Sequence, residues 1–303
     1  IYKMSNFFSD TIINKIKETE SDVLKKKNFL NNDEIKTLLE YLRNLKNKSV
    51  GESKLVDREE STKIFFDFNQ SEFLKKLKVK IEAQIGEFFV NDFQPHIITT
   101  RFPLRLHVDT GKNPNDIIYK NVVVPLEIIY DLKKDFCKPP NTVIFKNKWY
   151  DRSALLTKQT SSNYDFIIKD INNKFVDIVN IHDLKEKIKN ASDGPFSYGG
   201  KKFLINDKFK EYIDNLSKTK RYNARTDKHI VNNNDFKKSD YEKYMTHQPY
   251  EDCQSLEIDK VIDWEVGSLM TWDRSRIHCS DNFLINNVVS KTCLAMFTSK
   301  NKT

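Results

Sequence analysis

A change of hydrophobic period near residue 96 constrains the fold of this chain more than any other feature. The residues before it repeat at helical spacing. Three runs after it are rich in β-branched and aromatic residues and are separated by polar, Pro or Asn turns: HIITTRFPLRLHVD (96–109), KNVVVPLEIIYDL (120–132) and NTVIFKNKWY (141–150). A second block holds LEIDKVIDWEVG (256–267), SLMTWDRSRIHCSDNF (268–283) and SKTCLAMFTS (290–299). Two such blocks predict one β-rich core of α+β class, built from residues 91–150 and 245–300.

The remaining residues predict helices and one long insertion. Residues 5–90 read as N-terminal supporting helices, with apolar residues at helical spacing after the Asn-Asn-Asp-Glu start at Asn31 and again in 71–89. Residues 151–244 are rich in Lys, Asn and Asp, and a connection of this length predicts an inserted lid. Within it we expect short helices in NIHDLKEKIKNA and NDKFKEYIDNLSK and a loop in DGPFSYGG.

Composition narrows the class of protein. The 303 residues fit a single domain spanning 1–303. Four cysteines without CxxC spacing argue against a zinc site or a disulfide framework, and the absence of a long apolar run or signal-like start predicts a soluble, cytoplasmic protein without a membrane span. The net charge of +8 leaves a nucleic-acid partner open, but only nine of the 51 basic residues are Arg, which favours a solvated, lysine-rich surface. The sequence does not indicate an oligomeric state.

A histidine and an aspartate stand two residues apart in the strand-like stretch RLHVDTG. In a strand, His107 and Asp109 point to the same face, so an imidazole and a carboxylate converge. Such a pair alone also fits an ordinary polar surface. His278, in a late strand after the turn at Val266-Gly267, supplies a third ligand. Two histidines and one carboxylate form the facial triad that holds Fe(II) and leaves positions open.

Taken in chain order, these motifs resemble the non-haem iron, 2-oxoglutarate-dependent oxygenases. The similarity is nearest to the phytanoyl-CoA-hydroxylase-like and prolyl-hydroxylase-like branches and covers about 90–150 and 245–300. It implies a double-stranded β-helix, or jelly roll, with His107, Asp109 and His278 as metal ligands and with Fe(II), 2-oxoglutarate and O2 as cofactor and co-substrates.

The resemblance also implies a basic residue that binds the far carboxylate of 2-oxoglutarate. Lys291 holds that position, although it follows His278 by 13 residues, where the family more often has about ten. Arg276 is the rival, because in an extended strand it shares a face with His278 and its guanidinium is a bidentate carboxylate binder. Tyr119 and the adjacent Lys120 are weaker candidates for the same site.

The function implied is that of a hydroxylase that releases succinate and CO2. Arg101 and Arg105 share the parity of His107 and Asp109 in the strand and predict a positively charged pocket mouth, which favours a small anionic substrate. Hydroxylation or demethylation of a nucleic acid or of a protein side chain stays open as an alternative within the class. The alternative from another class is a non-enzymatic, cupin-like metal-binding protein.

Overall fold

The structure of the protein is a computed structural model. It describes the chain in these ranges: 7–46, 55–57, 61–91, 94–134, 136–150, 153–155, 166–172, 175–178, 181–218, 236–253 and 256–303. Parts of the predicted insertion, including 219–235, lie outside the described residues, as do 5–6, 47–54 and 58–60 of the predicted helical region. Within the described ranges, every helix is too short or too polar to span a bilayer.

Sixteen strands lie within the described residues. The first eight are β1 (Leu24–Lys26), β2 (Leu55–Asp57), β3 (Ser61–Phe65), β4 (His96–Thr100), β5 (His107–Val108), β6 (Ile118–Tyr130), β7 (Asn141–Lys148) and β8 (Ala154–Leu155). The other eight are β9 (Phe166–Lys169), β10 (Phe175–Ile178), β11 (Gly194–Tyr198), β12 (Lys201–Ile205), β13 (Ile258–Asp263), β14 (Leu269–Asp273), β15 (Arg276–Ser280) and β16 (Val288–Ser299).

Eight of these strands form the jelly roll that the sequence predicts. A larger antiparallel sheet has the order β1-β14-β6-β16-β4-β3-β2, and a smaller one has the order β13-β7-β15-β5-β8. Strands β4 to β7 alternate between the two sheets, β7 pairs with β13 within the smaller sheet, and β13 to β16 alternate again, which is the winding of a double-stranded β-helix. An apolar cluster between the sheets joins Met270 and Trp272 of the larger sheet to Ile144 and Trp264 on the smaller sheet's side. The predicted fold class is confirmed.

Two of the five longer helices cover the outer face of the larger sheet. The five longer helices are α1 (Asp10–Glu18), α2 (Asn32–Lys46), α3 (Glu72–Ile85), α4 (Ile181–Lys189) and α5 (Asp207–Lys218). A capping box starts α2, because the Asn31 side chain accepts from the Glu34 amide and the Glu34 carboxylate accepts from the Asn31 amide. Leu38 of α2 and Leu77 and Ile81 of α3 pack with Val122 of β6 in one buried cluster. The apolar stripes read from the sequence therefore face the sheet.

The N-terminal region is not helical throughout, contrary to the expectation for residues 5–90. Strand β1 pairs with β14, and β2 and β3 extend the larger sheet beyond β4. Strand β1 shows no apolar alternation because residues 25–27 are all lysines, which are common in the edge strands of sheets. The hydrophobic period therefore does not predict this strand. This extension places Lys63 of β3 beside the core strands.

The turn before β14 requires a glycine. Gly267 has φ +80°, and a Cβ at this position would lie 2.7 Å from the carbonyl oxygen of Leu30. The Leu30 amide donates to the Gly267 carbonyl at 2.8 Å. The chain entering α2 is thereby held against the turn that leads into the late core strands.

The insertion contains a small module with its own apolar core. The two predicted helices are confirmed as α4 and α5, and Leu184, Ile188, Phe203 and Phe209 pack together. The stretch DGPFSYGG is not a loop, because β11 pairs with β12 through a two-residue turn at Gly199-Gly200, both with positive φ. Strands β9 and β10 form a separate hairpin. The prediction that this insertion is a lid stays a prediction.

Candidate metal centre and cavity

Three predicted ligands meet between β5 and β15. His107 of β5 is directly opposite His278 of β15 in the antiparallel ladder, and Asp109 follows β5 on the same side. The His278 Nε2 atom lies 3.0 Å from the Asp109 Oδ2 atom, and the His107 Nε2 atom lies 3.8 Å from it. One donor atom from each of the three residues lies within 4.8 Å of the other two. The strand register, rather than sequence proximity, brings the distant histidine to the pair.

Both imidazoles are oriented by a backbone carbonyl two residues earlier. The His107 Nδ1 atom is 2.6 Å from the Arg105 oxygen, and the His278 Nδ1 atom is 3.0 Å from the Arg276 oxygen. A carbonyl only accepts, so each Nδ1 carries the proton, and each Nε2 presents its lone pair toward Asp109. This is the outer hydrogen bond that metal-binding histidines use to fix the ring and its tautomer.

The electrostatics suit a divalent cation. Burial, with a contribution from His278, lowers the pKa of His107 to about 4, so its ring is neutral near pH 7. Burial alone would raise the pKa of Asp109, but the imidazoles of His107 and His278 outweigh it and hold that pKa well below the ordinary range. The Nε2 atoms of the two histidines and one anionic oxygen of Asp109 form the donor set, and they match the facial arrangement for Fe(II).

A fully buried arginine, absent from the sequence prediction of the site, holds the ligand-bearing loop. The Arg274 Nε atom donates to the main-chain oxygen of Asp109 at 2.7 Å. Its Nη1 atom pairs with Asp116 at 3.2 Å and donates to the Thr298 carbonyl at 3.1 Å and the Ser299 hydroxyl at 3.0 Å. Arg274 and Asp116 side chains are both 0% exposed. This guanidinium ties the loop after Asp109 to the end of β16.

A cavity of about 240 Å³ opens beside the three ligands and runs between the two sheets. Lys291 of β16 lies on its wall and is buried. Its Nζ atom donates to Ser280 Oγ at 3.0 Å and lies 3.9 Å from the Trp264 ring centroid. The 13-residue spacing from His278 is accommodated by a 3-10 turn at Phe283–Asn286 that ends in left-handed Asn287. Burial lowers the pKa of Lys291 to about 8, against a partial opposing effect of Asp281.

The structure places the other predicted anchors elsewhere. Arg276 pairs with Asp259 and lies 3.6 Å from Asp273, and it is not on the cavity wall. A register shift between Arg276 and His278 breaks the alternation from which a shared face was inferred. The Tyr119 hydroxyl donates to the Ile85 carbonyl at 2.5 Å, also away from the cavity.

The positive charges near the cavity also differ from the expectation. Arg101 donates to the Thr62 hydroxyl at 3.1 Å, and neither it nor Arg105 lies on the cavity wall. Lys63 lies there instead, on strand β3 in the region for which the sequence predicts helices. Lys120, which follows Tyr119 in the sequence, pairs with Asp273 and donates to the Ser21 hydroxyl.

Several buried polar atoms of the cavity wall have no hydrogen-bond partner among the described residues. They are the Thr100 hydroxyl, both amide atoms of Asn121 and the indole nitrogen of Trp272. Asn121 and Trp272 are direct neighbours in the ladder of β6 and β14. Unsatisfied buried donors are costly, so a wall of this kind fits a polar ligand in the cavity. The donor set and these groups together fit a metal ion with a polar co-substrate.

Comparisons with known proteins return structures only. No protein-family model and no curated protein matches the chain. HygX from Streptomyces hygroscopicus, solved with nickel, 2-oxoglutarate and hygromycin B bound, is 11% identical at TM-score 0.40, covering 96% of this chain and 87% of its own. A Trichoplax adhaerens prolyl hydroxylase, solved with a hypoxia inducible factor peptide, is 9% identical at 0.37, covering 96% and 88%.

A Pseudomonas putida prolyl-4-hydroxylase is 8% identical at TM-score 0.36, and the match covers 96% of this chain and 99% of that one. At these scores the function of the chain has to be inferred from its own site.

Proposed function

We propose that the protein is an Fe(II)- and 2-oxoglutarate-dependent oxygenase that hydroxylates a small substrate. The observation that carries the proposal is the triad of His107, Asp109 and His278, with each Nε2 turned toward one carboxylate and each Nδ1 tied to a backbone oxygen. His107 and His278 would hold the iron as neutral donors, and Asp109 would supply the anionic one.

Lys291 supports the co-substrate part of the proposal. It is a buried lysine on the cavity wall, whereas Arg276 is paired with Asp259 and does not line the cavity. An ammonium group in an apolar wall binds a carboxylate strongly because little water screens the pair. Lys291 would therefore pair with the distal carboxylate of 2-oxoglutarate, and Ser280, already hydrogen-bonded to it, would orient the ammonium.

Bound iron and 2-oxoglutarate supply the oxidising chemistry, in which dioxygen and 2-oxoglutarate give succinate, CO2 and a hydroxylated substrate. The chain's own groups bind and orient. Trp272, whose ring centroid is 5.0 Å from that of His278, and Trp264 beside Lys291 form apolar walls that exclude water. Asp109 makes hydroxylation the expected outcome rather than halogenation, because halogenases of the resembled family lack this carboxylate. The cavity volume of about 240 Å³ favours a small substrate over a polymer.

Succinate formation by the purified protein tests the proposal, because enzymes of the resembled class turn over slowly without substrate. The assay would supply Fe(II), 2-oxoglutarate and O2 and compare wild type with His107→Ala. His247→Ala is the matched control, because its ring, which contacts the Leu104 carbonyl, does not itself line the cavity. We expect succinate from wild type and the control and none from His107→Ala. Metal binding without any succinate, or without 2-oxoglutarate binding, would favour the cupin-like alternative.

A further inference from the structure

A second lysine faces the cavity from a strand outside the jelly roll. Lys63 of β3 pairs with Ile98 of β4, which in turn pairs with Cys293 of β16. Residues directly opposite in neighbouring strands point to the same face of a sheet. Ile98 and Cys293 both line the cavity, so Lys63 shares the inner face, and it lies on the cavity wall.

Lys63 and Lys291 approach the cavity from different places. Lys291 is opposite Thr100, whereas Lys63 is opposite Ile98, which comes two residues before Thr100 on β4. Strand β3 is the second strand from β16 in the sheet. With strands about 4.8 Å apart and a rise of about 3.4 Å per residue, the Cα atoms are roughly 12 Å apart. Lys291 is 3% exposed and Lys63 is half-buried, so Lys63 lies nearer to solvent.

The charge of Lys63 reaches groups on the cavity wall. Burial is the main reason that the pKa of His96, which also lines the cavity, falls to about 4, and the positive charge of Lys63 adds to that effect. The same charge acts on the Cys293 thiol, whose pKa burial raises to about 12. The ammonium therefore acts on the side of β3 where the metal ligands lie.

The carboxylate and the two ammonium groups on the cavity wall have separable roles. They are Asp109, Lys63 and Lys291. Under the proposed function, on which this inference rests, Asp109 binds the metal and Lys291 binds the distal carboxylate of the co-substrate. We propose that Lys63 binds an anionic group of the substrate, a carboxylate or a phosphate, and so turns the substrate toward the metal ligands. Lys63 is then a specificity-determining residue. The positive charge at the pocket mouth comes from Lys63 on β3 rather than from Arg101 and Arg105.

Small anions can test this subsite without knowledge of the substrate. The protein would be loaded with Mn(II) and saturating 2-oxoglutarate, and the paramagnetic relaxation of added inorganic phosphate (³¹P) and acetate (¹³C) would report binding close to the metal. Lys63→Gln would be compared with Lys26→Gln, which removes the same charge from an exposed residue at the far edge of the same sheet. The affinity for 2-oxoglutarate would be measured for each variant, with Lys291→Gln alongside.

We expect enhanced relaxation of at least one anion in wild type and Lys26→Gln, and at least a tenfold weaker effect in Lys63→Gln. Unchanged 2-oxoglutarate affinity in Lys63→Gln, with a loss in Lys291→Gln, would separate the substrate subsite from the co-substrate anchor. Equal relaxation in Lys63→Gln and wild type, or none in wild type, would overturn the inference. So would a loss of 2-oxoglutarate affinity in Lys63→Gln, because Lys63 would then bind the co-substrate. Failure of the proposed function would show instead as no Mn(II) or 2-oxoglutarate binding by any form.

Discussion

Replacement of Arg274 by lysine should weaken metal binding without removing a metal ligand. The arginine Nε atom donates to the main-chain oxygen of Asp109, while its Nη1 atom serves Asp116, Thr298 and Ser299. A lysine carries a single ammonium group and cannot donate to Asp109 and to the groups around Asp116 at the same time. Because the positive charge is retained, the electrostatic repulsion of a metal ion changes little. Arg274→Lys therefore isolates the effect of holding Asp109 in place.

The magnitude follows from the contacts that are lost. One charge-assisted hydrogen bond to a buried carbonyl contributes about 1.5–3 kcal/mol to folding. Loss of an outer contact to a metal ligand typically weakens metal affinity by about 10- to 100-fold. We therefore expect Arg274→Lys to lower the free energy of unfolding by about 2 kcal/mol and to raise the Kd for Ni(II), an air-stable substitute for Fe(II), by at least tenfold.

The assay is a Ni(II) titration against a competing chelator, together with urea unfolding of the metal-free protein. Lys148→Gln is the control, because it breaks an ion pair with Glu20 that touches none of the three ligands. It should lose stability and keep its Ni(II) affinity. If Arg274→Lys loses the expected stability of about 2 kcal/mol while its Ni(II) affinity stays within twofold of wild type, Arg274 supports the fold and does not position Asp109.

Three further outcomes are expected. Burial lowers the pKa of Lys291 to about 8, so the free protein loses the ammonium charge above that pH. The affinity for 2-oxoglutarate should therefore fall by up to about tenfold per pH unit above pH 8. Lys291→Arg stays charged, so an equally steep fall of its 2-oxoglutarate affinity with pH would contradict this prediction. Gly267→Ala should lower the free energy of unfolding by about 2–3 kcal/mol, because the new Cβ would lie 2.7 Å from the Leu30 oxygen at a residue with positive φ. A loss of less than about 0.5 kcal/mol in urea unfolding would show that no such clash occurs. Tyr119→Phe and Arg276→Gln should each keep 2-oxoglutarate affinity within about twofold, since both side chains lie off the cavity wall, and a larger loss in a binding titration would place them in the site.

Local alternation was sufficient to predict the core strands and the pairing of His107 with Asp109, whereas His278 was added from the order of the motifs and meets that pair through strand register. His107 and Asp109 share a face in any extended strand, and His278 follows a turn that only glycine satisfies. The same rule failed for Arg276, because the register shift next to His278 is set by pairing with β7 and leaves no mark in the spacing.

Residues that depend on tertiary pairing could not be predicted. Arg274 is part of a charged stretch, WDRSR, and nothing in that stretch indicates that Asp116 and the end of β16 surround it. Lys63 belongs to a short strand that exists because β4 offers it an edge, so local propensity understates it. The hairpin of β11 and β12 was missed because its Gly-Gly turn and proline read as a loop, although such a turn is typical of hairpins.

The position of the inserted module has a consequence for how the chain reaches its native state. Asn147, on β7, accepts from the amide of Glu257, which precedes β13, although 110 residues separate them. Closing so long a loop delays the pairing of β7 with β13, since chain entropy must be lost before the strands gain contacts. The helices α4 and α5 and the hairpin of β11 and β12 pack in a core of their own from contacts close in sequence. Early folding of this module would shorten the unfolded chain that separates β7 from β13. Replacement of Phe203 by alanine, which destabilises the module, should therefore slow refolding of the jelly roll more than it speeds unfolding.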